Sequence, residues 1–125
     1  MNYSSVYVAL ASVNVDALVT FYSDLLGQTA QRVIPSRYGE FQVVGLRLAI
    51  FHPRQDHQAE FQATTSGGMS LCIDVEDLDQ AIARLTQLGH PPPGPIITAS
   101  HGREIYAYDP DGNRLILHQN PPGHG

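Results

Sequence analysis

Two residues near the end of the chain are of types that carry proton-transfer chemistry. His118 lies in the last apolar segment and Glu104 in the segment before it, and an imidazole beside a carboxylate can act as an acid/base pair. The alternative is that His118 is a polar residue lining a pocket, or a hydrogen-bonded residue on the surface, without a role in catalysis. Cys72 is the only cysteine, which excludes an intrachain disulfide and a multi-cysteine zinc site. We interpret it as a buried, unreactive thiol.

Arginine and aromatic side chains suggest a ligand-binding surface. Arg47 and Arg114 occur in two apolar segments, and two guanidinium groups on one concave face would favour a carboxylate, phosphate or sulfate group on a ligand. Each arginine alone is better explained as a strand-end residue that reaches solvent or a neighbouring carboxylate. Tyr7, Phe51 and Tyr106 could form an aromatic wall for a planar ligand, although aromatic residues on strands more often simply pack.

The composition limits the classes of function. The 125 residues, 42% hydrophobic and 15% charged, are typical of one globular domain. A formal charge of −5 and scattered arginines argue against nucleic-acid binding, and the absence of lysine excludes Schiff-base chemistry. No apolar run is long enough for a membrane helix, and the first residues lack the pattern of a secretory signal. We therefore expect a cytoplasmic protein that contacts no membrane.

The first half of the chain has the pattern of a strand, a helix and three further strands. Residues 6–12 alternate like a strand, Asn14 occupies an N-cap position, and apolar residues recur at helical spacing from Val15 to Leu26, before Gly27. Strands are then expected at about residues 29–35, 38–44 and 46–51. The polar residues 52–68 read as a linker.

The second half repeats this order. A strand at residues 70–75 is followed by Asp77 as N-cap, a helix that ends before Gly89, and strands at 96–99, 104–108 and 114–119. Because Tyr7 aligns with Ser70 and Asn14 with Asp77, we predict an internal duplication of a βαβββ unit. The expected organisation is a single domain of residues 1–125, with module 1 at about 5–52, a linker at about 53–68, module 2 at about 69–119 and a flexible tail at 120–125.

The segment from Tyr106 to His118 is the most informative motif. Within it, Asp109-Pro-Asp-Gly-Asn113 predicts a tight turn between two strands, with Gly112 supplying a positive φ. This segment and the duplicated βαβββ order resemble the vicinal-oxygen-chelate superfamily, which includes glyoxalase I, extradiol dioxygenases, and fosfomycin- and bleomycin-resistance proteins. The resemblance covers residues 6–119. It implies an α+β fold in which two tandem βαβββ modules form a curled eight-stranded mixed sheet, a cup, with the helices packed outside.

The same resemblance specifies where a metal would bind. Metal-dependent members hold a divalent ion with one side chain from each of four strands, and the corresponding positions here are Tyr7, Ala49, Ser70 and Ile116. Alanine and isoleucine offer no ligand atom. We therefore predict neither a metal nor another cofactor, and place the chain closest to the metal-free bleomycin-resistance-like branch.

A displaced metal site is the alternative, and strand alternation indicates its surroundings. A divalent ion such as Ni, Zn, Mn or Fe would use His118, with Glu104 and Tyr106 nearby. If the four ligand positions face the cup, strand parity places further side chains on the same side, while the opposite parity is uniformly apolar and suits the helix-facing core. The resulting candidate ligand-binding residues are Tyr7, Arg47, Phe51, Ser70, Cys72, Tyr106, Arg114 and His118.

Three hypotheses of function follow. The first is a metal-free protein that binds a small molecule for sequestration or delivery, as implied by the bleomycin-resistance resemblance. The second is a lyase, isomerase or dioxygenase with a displaced metal or with His118 and Glu104 as an acid/base pair. The third is a structural or interaction module with a filled cup. The expected partners are a small-molecule ligand and a second copy of the chain in a homodimer, with no nucleic acid.

Overall fold

A computed structural model describes residues 1–2, 4–62 and 67–122. The chain divides into two compact units, Met1–Thr64 and Thr65–Gly125. Residues 63–66 of the predicted linker and 123–125 of the predicted tail lie outside the described residues. Among the described helices, none is long and apolar enough to cross a membrane.

The first unit is a helix packed on a mixed sheet. Its elements are β1 (Val8–Ala11), α1 (Val15–Leu26), β2 (Arg32–Ile34), β3 (Tyr38–Val43) and β4 (Leu46–Phe51). The strand order is β1-β4-β3-β2, with β1 parallel to β4 and the other pairs antiparallel. A 3₁₀ helix, Gln55–Phe61, follows β4, so part of the segment that we predicted to be a plain linker is helical.

The second unit repeats the first. Its elements are β5 (Leu71–Asp74), α2 (Leu78–Gln87), β6 (Ile97–Ala99), β7 (Gly102–Tyr108) and β8 (Arg114–Gln119). The strand order β5-β8-β7-β6 and the single parallel pair, β5 with β8, match the first unit. The predicted βαβββ duplication is therefore seen in the structure.

The predicted single sheet is not formed by the described residues. The eight strands pair as two separate four-stranded mixed sheets, because every strand finds its ladder partners within its own unit. Several strands are also shorter than their alternating patterns suggested. The clearest case is β2, where residues 29–31 lie outside the strand.

The apolar parity of each sheet faces its helix. In the first unit Leu48 and Ile50 of β4 are buried with Leu18 and Tyr22 of α1. In the second unit Leu115 and Leu117 of β8 are buried with the helix residues Leu78 and Leu85. Removing such a side chain from water contributes about 1.5–3 kcal/mol to folding. Most of the core thus lies on the helix-facing side of each sheet, and in the first unit Ala49 of the opposite parity is buried as well.

The helix ends differ in how their backbone groups are satisfied. Gly27 ends α1 in the left-handed conformation, φ 67°, as predicted. The Asp77 carboxylate caps α2 by accepting a hydrogen bond from the Gln80 amide at 3.1 Å. Asn14 precedes α1, and its side chain makes no capping bond. The backbone amide of Asn14 donates to Ser12 Oγ at 2.9 Å. Asn14 therefore occupies the predicted N-cap position, but without a side-chain capping bond.

The turn between β7 and β8 is organised by one buried carboxylate. Asp109 Oδ1 accepts hydrogen bonds from the amides of Asp111 and Asn113, both at 2.9 Å, and Asp109 Oδ2 accepts one from Asn113 Nδ2 at 2.8 Å. Gly112 has φ 85°, which confirms the predicted positive-φ position. This turn fixes the register of β8, and hence the positions of Ile116 and His118.

Candidate functional site

The face of the second sheet that points away from α2 carries the predicted site residues of this unit; we call it open face 2. Cys72, Ile116 and Tyr106 lie side by side across β5, β8 and β7. Tyr106 is 42% exposed and Cys72 is exposed. The expectation of a buried thiol was therefore wrong: Cys72 has the parity of open face 2, and the helix covers the other side of β5.

His118 is held between two acceptors. Its neighbours across the ladders are Asp74 on β5 and Glu104 on β7. Nδ1 lies 3.0 Å from Asp74 Oδ1 and Nε2 lies 2.8 Å from the carbonyl oxygen of His101. Both partners only accept hydrogen bonds, so the geometry favours the doubly protonated ring. The His101 carbonyl bond, then the Asp74 bond, together with the nearby Glu104 charge, raise the pKa of His118 above its ordinary 6.5.

The chain approaches His118 closely at a glycine. The His101 ring stacks on the His118 ring, with centroids 5.6 Å apart and planes 13° apart. Gly102 follows, buried and with φ 127°. A Cβ there would overlap the Gln119 carbonyl oxygen and lie 3.0 Å from His118 Nε2. Gly102 is therefore required for the close approach of His101 to His118.

Arg114 is engaged at the start of β8. Its Nε donates to Ser70 Oγ at 2.8 Å, and a terminal nitrogen donates to the Gly67 carbonyl. The arginine thereby ties the start of β8 to the residues just before β5. This engagement of Ser70 also occupies one of the four positions that a metal would need.

The first sheet has a corresponding face, which we call open face 1. The Tyr7 ring lies over the Arg47 guanidinium, with Cζ 4.1 Å from the ring centroid, a cation–π contact. The guanidinium has one long bond to Ser5 Oγ, 3.4 Å. Arg47 Nε is buried and has no hydrogen-bond partner among the described residues. Arg47 is thus a cation whose hydrogen-bonding capacity is largely unused.

A tyrosine–carboxylate pair and two phenylalanines complete open face 1. The Tyr38 hydroxyl donates to Glu40 Oε1 at 2.7 Å. Burial, then the hydrogen bond to Glu40, raises the pKa of Tyr38, so it remains a neutral donor. Phe51 contacts Phe61 of the 3₁₀ helix edge to face, with centroids 5.5 Å apart. The surface therefore combines aromatic rings with one under-bonded arginine and one carboxylate.

The residues at the four positions where members of the vicinal-oxygen-chelate superfamily hold a metal do not fit a divalent ion. Ala49 and Ile116 have no ligand atom, Tyr7 covers Arg47, and Ser70 accepts from Arg114. Nor do the described residues contain any group of three or more His, Cys, Asp or Glu side chains able to hold a metal. His118 could coordinate a metal ion only after one of its two ring hydrogen bonds, to Asp74 or to the His101 carbonyl, had broken.

The structure brings together some predicted residues and adds others. It pairs His118 with Glu104, Arg114 with Ser70, and Tyr7 with Arg47. Arg47 and Arg114 belong to different units, each on its own open face. Sequence reasoning missed Asp74, His101, Tyr38 and Glu40. The parity of β5 and β3 would have found Asp74, Tyr38 and Glu40, whereas the backbone bond of His101 left no signal in the sequence.

Comparisons with known proteins agree with the observed fold. The family model described as Glyoxalase/Bleomycin resistance protein/Dioxygenase superfamily matches residues 4–117, whereas no curated protein matches the chain. A solved glyoxalase-related enzyme from Fulvimarina pelagi is 25% identical, with a TM-score of 0.74 and coverage of 95% of this chain and 90% of its own.

Two further solved structures share the fold at lower identity. The lactoylglutathione lyase from Agrobacterium tumefaciens is 21% identical, with a TM-score of 0.70 and coverage of 94% of this chain and 95% of its own. The genomically encoded fosfomycin resistance protein from Listeria monocytogenes, solved as a variant with Mn(II) and a dihydroxypropylphosphonic acid, is 21% identical. Its TM-score is 0.72, with coverage of 98% of this chain and 94% of its own.

Proposed function

Because this chain belongs to the Glyoxalase/Bleomycin resistance protein/Dioxygenase superfamily, we propose that it binds a small molecule on its open faces without a metal at the four usual positions. In this it would act like the bleomycin-resistance branch, by sequestering or delivering its ligand. The observation that carries the proposal is the chemistry of those positions. Two offer no donor atom, and the other two are engaged by arginines.

Open face 1 supports a particular ligand chemistry. The aromatic rings of Tyr7 and Phe51 favour a planar or apolar body. Arg47 lies against Tyr7 on the same face of β4 as Phe51. Its Nε has no partner among the described residues and its one hydrogen bond is 3.4 Å long, so an oxyanion that reached the guanidinium would supply the missing acceptor. We propose an aromatic ligand that carries a carboxylate or phosphate group. Tyr7, 49% exposed and ahead of β1, is the side chain that would move to admit it.

An acid/base enzyme is the alternative, and one observation favours it: Glu104 and Asp74 flank His118, whose pKa is raised. A general acid must present its proton to the substrate. Both ring nitrogens of His118 are instead bonded within the protein. The enzyme therefore requires the His101 contact to open on substrate binding, which the binding protein does not.

The test is a titration of chelator-treated protein, followed by amide chemical shifts. Benzoate and phenyl phosphate supply a ring with an oxyanion, benzylamine a ring with a cation, and acetate an oxyanion without a ring. We expect the first two to shift amides of β1 and β4. Arg47→Met, which keeps the stem and removes the charge, should weaken binding about tenfold or more, as expected for loss of a charge-assisted bond.

The matched control is Arg84→Gln, which removes an exposed arginine of α2 and should leave both affinities unchanged. Preference for benzylamine, or equal affinities in wild type and Arg47→Met, would contradict the proposed ligand chemistry. Binding that appears only after a divalent metal is added would contradict metal-independent binding itself.

A further inference from the structure

The first unit contains a groove that the open faces do not include. It has a volume of about 640 Å³ and is lined by the turn before β3, the residues after β4 and the start of the 3₁₀ helix. Its lining residues are Ser36, Arg37, His52, Pro53, Arg54, Gln55 and Gln58. The two arginines and two glutamines can donate hydrogen bonds to a ligand, and none of the lining side chains is a carboxylate.

The duplication shows that Arg37 is unusual. Arg37 and Arg103 occupy equivalent positions in the two units. Arg37 directly precedes Tyr38, which pairs with Phe51 of β4. Arg103 directly precedes Glu104, which pairs with His118 of β8. Arg103 is used structurally: its guanidinium donates to Asp79 at 3.3 Å and to Gln119 at 3.2 Å. Arg37 makes no side-chain hydrogen bond or ion pair with the described residues. Its guanidinium is therefore available to a ligand.

The carboxylate that could neutralise Arg37 is occupied elsewhere. Asp16 stands in α1 where Asp79 stands in α2, and it accepts hydrogen bonds from the Ser36 amide at 2.8 Å and the Ser36 hydroxyl at 3.0 Å. Ser36 is the one non-glycine residue with positive φ, 65°, among the described residues. Asp16 therefore holds a strained turn at the edge of the groove rather than pairing with Arg37.

Arg54 also leaves donors for a ligand, whereas the His52 nitrogen that donates is bonded within the chain. Arg54 pairs with Asp56 at 3.2 Å, but both side chains are more than half exposed, so the pair is weak. His52 Nδ1 contacts the Pro53 carbonyl at 2.9 Å. Since a carbonyl only accepts, Nδ1 carries the proton, and Nε2 makes no bond to the described residues. The backbone holds this edge together, because the His52 amide donates to the Arg37 carbonyl at 2.9 Å.

We propose that this groove is a second binding site, which takes the oxyanion group, a phosphate or a carboxylate, of a small molecule. Arg37 supplies the main charge, with Arg54 as a further donor. The site is separate from the ligand surface proposed above, and its existence does not depend on that proposal.

The experiment is an amide chemical-shift titration of the full chain with inorganic phosphate and, in a second arm, succinate. Sodium chloride at matched ionic strength is the reference. We expect either oxyanion to shift the amides of Ser36 and of residues 52–58. Arg37→Gln should weaken that binding about tenfold or more, whereas Arg103→Gln, its counterpart in the second unit, and Arg47→Met should leave it unchanged.

Comparing the affinities for phosphate and for succinate shows whether the groove prefers a phosphate or a carboxylate group. The proposal is overturned if neither probe shifts the groove amides, or if sodium chloride shifts them equally. Unchanged affinity in Arg37→Gln also overturns it. Because the Arg37 side chain is exposed and has no partner among the described residues, this variant should fold normally, which unchanged amide shifts away from the groove will verify.

Discussion

Substituting Gly102 by alanine tests how the backbone positions His118. Three consequences follow from the added methyl group. It puts a side chain at φ 127°, which costs about 1–3 kcal/mol. It overlaps the Gln119 carbonyl oxygen, so β7 and β8 must separate there and lose one or two hydrogen bonds of about 1 kcal/mol each. It also crowds His118 Nε2, at 3.0 Å.

The expected destabilisation of Gly102→Ala is about 2–5 kcal/mol in total, the sum of the strain and the lost ladder bonds. Gly112→Ala is the matched control. It also has a positive φ, 85°, but a Cβ there meets nothing within 4 Å, so only about 1–2 kcal/mol is expected. Urea denaturation followed by circular dichroism measures both variants.

Equal losses of stability in the two variants would refute the close approach of Gly102 to β8. A second readout is the titration of the His118 ring by NMR. In Gly102→Ala the bond to the His101 carbonyl is disturbed, so the pKa of His118 should fall towards 6.5. An unchanged His118 pKa in a destabilised variant would show that the ring is held by Asp74 alone.

Three further predictions concern stability. Because the folded-state pKa of His118 is raised, its contribution to stability is complete below about pH 6.5 and is lost as pH rises through the folded value. The stability difference between wild type and His118→Gln should therefore shrink as pH rises above about 6.5 in urea titrations. A difference that stays constant with pH would contradict this. Phe41→Ala, at a fully buried position, should lower the free energy of unfolding by about 3–5 kcal/mol. Val44→Ala, at an exposed position, should lower it by less than about 0.5 kcal/mol. Comparable losses of stability in thermal denaturation would argue against the assigned core. Asp77→Ala should destabilise the protein by about 1 kcal/mol because it removes the capping bond to the Gln80 amide. Asn14→Ala should destabilise it much less, because the Asn14 side chain makes no capping bond. A larger loss of stability in Asn14→Ala than in Asp77→Ala would be inconsistent with the observed helix ends.

The elements with strong local signals were predictable from sequence. The helix α1 is bounded by Asn14 and Gly27, β4 is an apolar segment after a glycine turn, and the Asp109 to Asn113 turn is specified by its own residues. Each depends on contacts between neighbours in sequence or on a single periodicity. The duplication was visible for the same reason, since it repeats those local signals.

The pairing of distant groups was not predictable to the same degree. Parity places His118 on a face, but its bond to Asp74 joins residues 44 apart, and its bond to His101 uses a backbone carbonyl. The unused charge of Arg37 depends on where Asp16 finds its partner. A sequence pattern shows which side chains can bond, whereas the fold decides which of several competing partners they bond to.

We propose that this family member needs no metal at the usual positions. The most direct test of this proposal is the metal content of tag-free protein, with calorimetric titration of Ni²⁺, Zn²⁺, Mn²⁺ and Fe²⁺ into wild type and His118→Ala. We predict no stoichiometric metal and the same absence of binding heat in both proteins. One bound metal per chain in the wild type, lost in His118→Ala, would contradict the account and make the displaced-metal enzyme the leading explanation.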